Sequence, residues 1–395
     1  MGIKELLGFL ECEKVEFKEL GELCEINGGK LNANKAQSKG LYEFFTYDYN
    51  NPKFVNNYAW DTEALIICKK DNGENPCRYF NGKFNAFQWM RILHSFKNGA
   101  NIHYIKYYFN AIFMQFLQTN SINISLPYIA IETIKKFQIP LPPLEIQQKI
   151  VDILDAFTEL QAELQAELHA RRKQYEYYRN KLLSFEELEK RANAIGGGLK
   201  LVSLGEVCEK ISNIKWKEMQ NQTFKYIDLT SVDRENCQIT QTQTITKENA
   251  PSRAQQIVQT DDVICGTTRP TLQRYCHITK TYDKQICSTG FCVLRANKKY
   301  ILPKWIFFNL KTSKFLNHIE RFQQGASYPS IADADLKNFQ IPLPPLKVQN
   351  DIVELLDKFD TLTNDLTSGI PAEIDARKKQ YEHYRERLLS FIAKD

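Results

Sequence analysis

The chain of 395 residues has no run of 18 consecutive apolar residues, no Cys-x-x-Cys pair, and only six histidines. The first absence leaves no candidate for a membrane-crossing helix. Acidic residues Glu11, Glu13 and Glu16 follow soon after Met1. That start does not read as a secretory signal, and a soluble cytoplasmic protein that makes no membrane contact is expected. Ten cysteines are present. Without paired spacing, and with Cys68, Cys265 and Cys292 in apolar strand-like runs, they predict reduced thiols and argue against both a disulfide framework and zinc. Catalytic motifs are missing too. There is no Gly-rich phosphate loop, no His-Glu-x-x-His and no Asn-Pro-Pro-aromatic run; Asn51-Pro52-Lys53 and Asn75-Pro76-Cys77 do not qualify. Acidic-x-Lys triplets at Glu16-Phe17-Lys18 and Asp335-Leu336-Lys337 occur at about chance frequency, and His94 and His277 cluster with nothing. No chemistry of the chain's own, and no metal, is expected.

What is present is a repeat. Phe137-Gln138-Ile139-Pro140-Leu141-Pro142-Pro143-Leu144 recurs letter for letter at Phe339 to Leu346. Each copy leads into an apolar-periodic segment with Gln-Tyr-Glu near its end, at Tyr175 and at Tyr381, followed by Leu-Leu-Ser-Phe at 182–185 and 388–391. Leu20-Gly21-Glu22-Leu23-Cys24-Glu25 likewise matches Leu204-Gly205-Glu206-Val207-Cys208-Glu209, and Leu6-Leu7-Gly8-Phe9 resembles the Leu-Leu-Ser-Phe phrase. A chain that ends on the phrase with which it begins implies a circularly arranged repeat and an approximate two-fold axis.

After Pro142-Pro143 the apolar positions Ile146, Ile150, Ile153, Phe157, Leu160, Leu164 and Leu168 fall three or four apart. The second copy runs Ile352, Leu355, Phe359, Leu362, Leu366. This is coiled-coil-like periodicity, with prolines where a helix should start. One unbroken helix is predicted from Glu145 to Arg191, roughly 70 Å long at about 1.5 Å per residue. Nothing that long packs alone, so the two helices are expected to lie antiparallel, with Ile150, Phe157, Leu164, Tyr175, Ile352, Phe359, Leu366 and Tyr381 in the packing. Ser368-Gly369-Ile370-Pro371 should kink or interrupt the second helix. The first carries Glu-Leu-Gln-Ala in tandem at 159–166, and a unit of four residues adds about one turn, roughly 6 Å.

Between the copies the sequence diverges. Segment 21–136 has strand-like runs such as Ala64-Leu65-Ile66-Ile67-Cys68 and turn signals at Asn27-Gly28-Gly29, Asp71-Asn72-Gly73 and Asn81-Gly82. Segment 201–338 has Lys225 to Thr230, Asp261 to Cys265 and Gly290 to Leu294. Helical stretches are predicted at His103–Thr119 and Lys304–Arg321, so both segments read as mixed α/β domains. Basic residues exceed acidic ones by four in the first segment and by six in the second, while the rest of the chain is net negative. Positive charge sits where contact with phosphates would need it.

The repeated Ile-Pro-Leu-Pro-Pro-Leu, the Gln147 and Gln349 that follow, the Ala-Arg-[Arg/Lys]-Lys-Gln-Tyr-Glu-x-Tyr-Arg ending and the Leu-Leu-Ser-Phe resemble the specificity subunit of type I restriction–modification systems. The likeness covers the whole chain. It implies an α+β chain with target recognition domain 1 at 1–136 (helical at 1–19), helical region 1 at 137–200, target recognition domain 2 at 201–338 and helical region 2 at 339–395. Each recognition domain would read one half of a split, asymmetric DNA site. The helices would pair as an antiparallel coiled coil, set the spacer, and dock two modification subunits. The tandem Glu-Leu-Gln-Ala looks like the family's length-adjusting unit. Partners implied are double-stranded DNA, the modification subunits and, where present, restriction subunits. S-adenosylmethionine, Mg and ATP would belong to those partners and not to this chain.

Asp261-Asp262-Val263-Ile264-Cys265-Gly266-Thr267-Thr268-Arg269 is similar to a strand and loop of these domains, with Cys265-Gly266 in place of an aromatic-Ser pair. Gly325-Ala326-Ser327-Tyr328-Pro329-Ser330-Ile331 looks like the loop before the repeated region. The first domain has Ser125-Leu126-Pro127-Tyr128-Ile129 instead. Arg and Lys reach guanine edges and phosphates, so Lys30, Arg78 and Lys83 in domain one, and Arg269, Arg274 and Ser327 in domain two, are the expected DNA-facing residues. A scaffolding coiled coil would account for the helices but not for the divergent basic inserts. A stand-alone nuclease or methyltransferase lacks its motifs.

Overall fold

Two units make up the computed structural model, one of Met1–Ala162 with Ala376–Asp395 and one of Glu163–Asp375. The structure describes residues 2–47, 51–67, 76–97, 99–120, 129–365 and 368–393.

In the first unit the run predicted at Ala64–Cys68 lies in strand Trp60–Ile67, with Cys68 outside the described residues. Trp60–Ile67 pairs antiparallel with Cys77–Ala86, in register from Trp60↔Phe84 to Ile67↔Cys77. Ala64 to Ile67 are buried in succession, as befits a strand covered on both faces. This hairpin is central to a six-stranded sheet with Glu25–Gly28, Arg91–His94, Tyr42–Phe45 and Phe54–Val55. The helix Ile102–Thr119 starts where Asn101 Oδ1 accepts from the His103 and Tyr104 amides, an N-cap that fixes its first turn. It buries Tyr104, Phe109 and Phe113 with Leu6 and Leu10 of helix Ile3–Cys12, with Phe137, Ile146 and Ile150, and with Leu388. The helix expected over 1–19 stops at Cys12, and Lys14–Glu19 is a strand that pairs antiparallel with Gln138–Leu141 and parallel with Ile392–Ala393.

The second unit holds two four-stranded sheets. One is ordered Cys208–Glu209, Phe291–Ala296, Val263–Gly266, Tyr275–His277, and the other Gln243–Ile245, Phe224–Ile227, Ile286–Ser288, Ala254–Ile257. Gln340–Leu343 pairs antiparallel with Lys200–Ser203, as Gln138–Leu141 pairs with Lys14–Glu19 in the first unit. The main core gathers Trp305, Phe308, Phe315, Phe339, Ile352 and Leu356. Both units are thus mixed α and β, as the alternation of strand-like and helical runs implied.

Two helical expectations and one reading of the repeat are corrected in addition. The first long helix spans Leu144–Leu182, 39 residues, and stops short of Arg191. Ser184 then caps a new helix, Phe185–Ala194, its Oγ accepting from the Glu187 amide at 3.3 Å. Periodicity continues across the break, whereas a capping hydroxyl satisfies the backbone locally. Lys304–Arg321 is two helices, Pro303–Leu310 and Ser313–Phe322, divided by an N-cap at Thr312. Leu6-Leu7-Gly8-Phe9 lies inside helix Ile3–Cys12, whereas Leu182-Leu183-Ser184-Phe185 crosses a helix end, so those phrases agree in letters and not in local structure. The interruption at Ser368–Pro371 is present: one helix ends at Asn364 and the next begins at Gly369. Gly369 has φ 75°, and a Cβ there would stand 2.6 Å from the Thr361 carbonyl oxygen. Among the described residues no helix is long and apolar enough to cross a membrane.

Candidate nucleic-acid interface

The duplicated phrase builds the same joint in each unit. Gln147 is fully buried, as Gln349 is. In the first unit the Gln147 Oε1 accepts from the Asn101 amide at 2.9 Å, and its Nε2 donates to the Gly99 and Pro142 carbonyls at 2.9 and 2.8 Å. In the second, Gln349 Oε1 accepts from the Leu302 amide at 2.9 Å, and its Nε2 donates to the Tyr300 and Pro344 carbonyls at 3.0 and 2.8 Å. Each glutamine ties the start of a long helix to the segment that launches a domain helix. All its hydrogen-bonding groups are used within the protein.

Farther along, the aromatic contacts repeat as well. Phe157 lies 6.3 Å from Tyr381 and 5.5 Å from Tyr384 in the first unit. Phe359 lies 6.3 Å from Tyr175 and 6.0 Å from Tyr178 in the second. Ile150 and Ile352 are fully buried, Tyr175 nearly so, and Leu164 is half-buried. Leu366 lies outside the described residues.

The candidate DNA contacts of the first unit do not converge. Lys30 follows strand Glu25–Gly28, and its ammonium stands 5.1 Å from the Trp60 ring centroid. Lys83 sits opposite Asp61, its Nζ 3.8 Å from the carboxylate and 4.9 Å from the Tyr58 ring. Asp61 and Lys83 occupy the rung next to Trp60 and Phe84, and the pleat points neighbouring rungs to opposite faces. Arg78 is half-buried on the same strand, opposite Ile66. Of the alternative loop Ser125–Ile129, only Ile129 is described, and its carbonyl accepts from Arg91 Nε at 2.9 Å.

Those of the second unit do converge. Buried Asp262 accepts from Arg295 Nε and Nη2 at 2.9 and 2.7 Å, anchoring the start of strand Val263–Gly266. The loop leaving that strand is pinned to Gln324–Ser330 by the bridge Thr268↔Ser330, and that segment is itself closed by the bridge Gln324↔Ser330. The Arg269 amide donates to the Pro329 carbonyl at 2.6 Å. The Arg269 guanidinium lies 4.3 Å from the ring of Tyr328, which is 71% exposed, and Ser327 is the neighbouring exposed residue. Arg269 (φ 47°) and Gln273 (φ 54°) are left-handed on either side of the turn Pro270–Leu272, a strain of order 1 kcal/mol each held by the surrounding bridges. Arg274 is half-buried, and burial, Arg234 and Arg269 lower its pKa. Sequence reading missed Arg234 and Tyr328. Arg234 sits within Asp233-Arg234-Glu235, which has the look of a solvated charge run; Tyr328 stands next to Ser327 in the loop Gly325–Ile331, with nothing in its letters to mark it as a contact.

Burial pushes the thiols of Cys24, Cys208 and Cys276 up to about 12, far from any use as thiolates. His94 is held by Asn27 Oδ1 at 2.7 Å and Ser95 Oγ at 2.8 Å. Among the described residues no group of three His, Cys, Asp or Glu could hold a metal ion.

The model of the type I restriction modification DNA specificity domain matches the chain twice, over residues 12–171 and 197–376. The type I restriction enzyme EcoR124I/EcoR124II specificity subunit of Escherichia coli is 33% identical, over 97% of this chain and 96% of its own length. A putative type I restriction enzyme specificity subunit of Haemophilus influenzae is 28% identical, over 97% of each. The crystal structure of a type I restriction–modification system S subunit from M. genitalium aligns with 96% of this chain and 97% of its own. Its TM-score is 0.54 at 16% identity, a likeness of fold. With the domain matched twice and a relative alike from end to end, the chain belongs to the type I restriction–modification DNA specificity family.

Proposed function

We propose that the chain is the non-catalytic DNA-sequence-specificity subunit of a type I restriction–modification complex, reading an asymmetric two-part site with one half assigned to each unit. The observation that carries this reading is the duplicated joint at Gln147 and Gln349: one scaffold, built twice, presents two divergent basic segments. Different segments on equal scaffolds fit two different half-sites. The candidate contacts are Lys30, Arg78 and Lys83 for one half, and Arg269, Arg274 and Ser327 for the other.

The helices would pair antiparallel in a pseudo-two-fold, circular arrangement. In the second unit Arg172 meets the Thr363 carbonyl, Tyr175 meets Asp360 and Tyr178 meets the Phe359 ring, an order that supports opposite chain directions on the two elements. In the first, the pairing of Lys14 and Val15 with Ile392 and Ala393 joins the two ends of the described chain. The helices would fix a spacer of roughly half a turn to one turn of DNA, at about 3.4 Å per base pair. They would also offer their exposed faces to two modification subunits. S-adenosylmethionine, Mg and ATP would enter through those partners, and the complex would work in the cytoplasm.

Co-expression with a cognate modification subunit, followed by mapping of methylated bases across the host genome, tests the reading. A bipartite asymmetric motif with a fixed gap is expected. Methylation unchanged by the chain, with no stable complex, would remove it.

A further inference from the structure

We propose that a cleft in the second unit, lined by Arg172, Arg179, Arg234, Gln273, Tyr275 and Lys311, holds a phosphate group. The inference deepens the DNA reading and rests on it for one of two possible sources, a backbone phosphate of DNA; the other is a free phosphate compound.

The cleft has a volume of about 320 Å³. Three cations reach it from different parts of the chain: Arg172 and Arg179 from the first long helix, Arg234 from the loop ahead of Cys237. The fourth, Lys311, is already neutralised, its Nζ 2.7 Å from Asp360. Glu176 and Glu235 also line the cleft, so the remaining cations outnumber carboxylates by three to two.

Those cations are poorly matched by the protein itself. Arg172 divides its donors among the Thr363 carbonyl, Glu235 and Asn236 at 3.4, 3.4 and 3.3 Å, all long for charge-assisted bonds. Arg179 approaches Glu176 only to 3.9 Å, and its buried Nε has no partner. The hydroxyl of Tyr275, a residue 1% exposed, is also buried without a partner. Arg234 is exposed and in no ion pair among the described residues, while Arg274 feels repulsion from both Arg234 and Arg269. Guanidinium groups so loosely paired and gathered at one place favour an anion between them. The under-used donors on Arg172, Arg179, Arg234 and Tyr275 exceed what the two oxygens of a carboxylate accept, and suit the several oxygens of a phosphate.

The test uses the full chain, with Arg234→Ala and Tyr275→Phe as variants. Arg234 is exposed, and Tyr275→Phe removes only an unpartnered hydroxyl, so both should fold. In one arm, thermal unfolding is followed as inorganic phosphate replaces chloride at constant ionic strength. The wild type should be stabilised in a saturable way, and each variant should need at least five-fold more phosphate. In the other arm, affinity for a short DNA duplex is measured against salt concentration. If DNA supplies the phosphate, Arg234→Ala should bind several-fold more weakly and flatten the log–log salt slope by about 0.9. A phosphate response with an unchanged slope would assign the cleft to a free phosphate compound. No phosphate response, together with an unchanged slope in a wild type that does bind DNA, overturns the proposal. A wild type that binds no duplex counts against the DNA reading, and the phosphate arm alone then decides the cleft.

Discussion

The side-chain oxygen of Gln349 takes the backbone N–H of Leu302 at 2.9 Å, and Leu302 is the N-cap of the helix that buries Trp305. One amide thus fixes where a domain helix starts relative to the long helix that carries it. Gln147 and Asn101 repeat the relationship at 2.9 Å.

Replacing either glutamine with alanine strands an amide and two carbonyls in the interior. Each substitution should cost roughly 2–3 kcal/mol in denaturant unfolding of the full chain. A loss below about 0.5 kcal/mol would mean that water substitutes freely, contrary to the complete burial of both side chains.

Asp360 accepts from Lys311 at 2.7 Å, Asn364 at 3.0 Å and the Tyr175 hydroxyl at 3.1 Å, all at one oxygen. Burial alone pushes its carboxyl up, but Lys311 and the hydrogen bonds from Lys311, Asn364 and Tyr175 reverse this and hold it below the usual range. Its folded pKa is depressed, so its stabilisation is complete above the unfolded value of about 3.9 and disappears as pH falls through the folded value. Asp360→Asn should cost about 3 kcal/mol at neutral pH by leaving Lys311 uncompensated. The gap between wild type and variant should narrow below about pH 4. A pH-independent gap would mean that packing, not charge, is what the carboxylate supplies.

Arg269→Gly should separate stability from binding. Glycine adopts the left-handed conformation of that position without strain, so the fold should be unharmed or gain up to about 1 kcal/mol. DNA affinity of the complex should fall, because the cation over Tyr328 is gone. Unchanged affinity would take Arg269 off the list of contacts.

Phe157→Ala and Phe359→Ala remove equivalent rings, each half-buried against two tyrosines. Each should cost about 2–3 kcal/mol, and the two values should agree within about 1 kcal/mol. Widely different costs would show that the two copies of the joint have diverged in energy though not in geometry.

The repeated scaffold was legible because identity of letters needs no physics to detect, and the buried glutamines lie inside it. Helix ends were less so. Ser184 and Thr312 divide helices whose apolar stripe runs on, and one hydroxyl's capping bond is invisible to periodicity. The cluster in the second unit was half legible. Arg269 and Ser327 stand in recognisable loops, whereas Arg234 joins them only because a turn held by Asp233 carries it there, Asp233 accepting from the Glu235 and Asn236 amides at 3.0 and 2.7 Å. In the first unit, Lys30 and Lys83 read alike in sequence and are separated by the pleat.

The make-up of the first unit has a consequence for synthesis. Residues 1–162 cannot complete their core until residues 376–393 have left the ribosome, because Leu388 and Leu389 fill it and strand Lys14–Glu19 takes Ile392–Ala393 as a neighbour. Residues 163–375 form an uninterrupted unit and can close earlier. Domains fold in order of emergence in most chains. In this one the segment translated first is the last to finish, and its Tyr104 and Tyr108 rings wait for Phe391 while more than two hundred further residues are added.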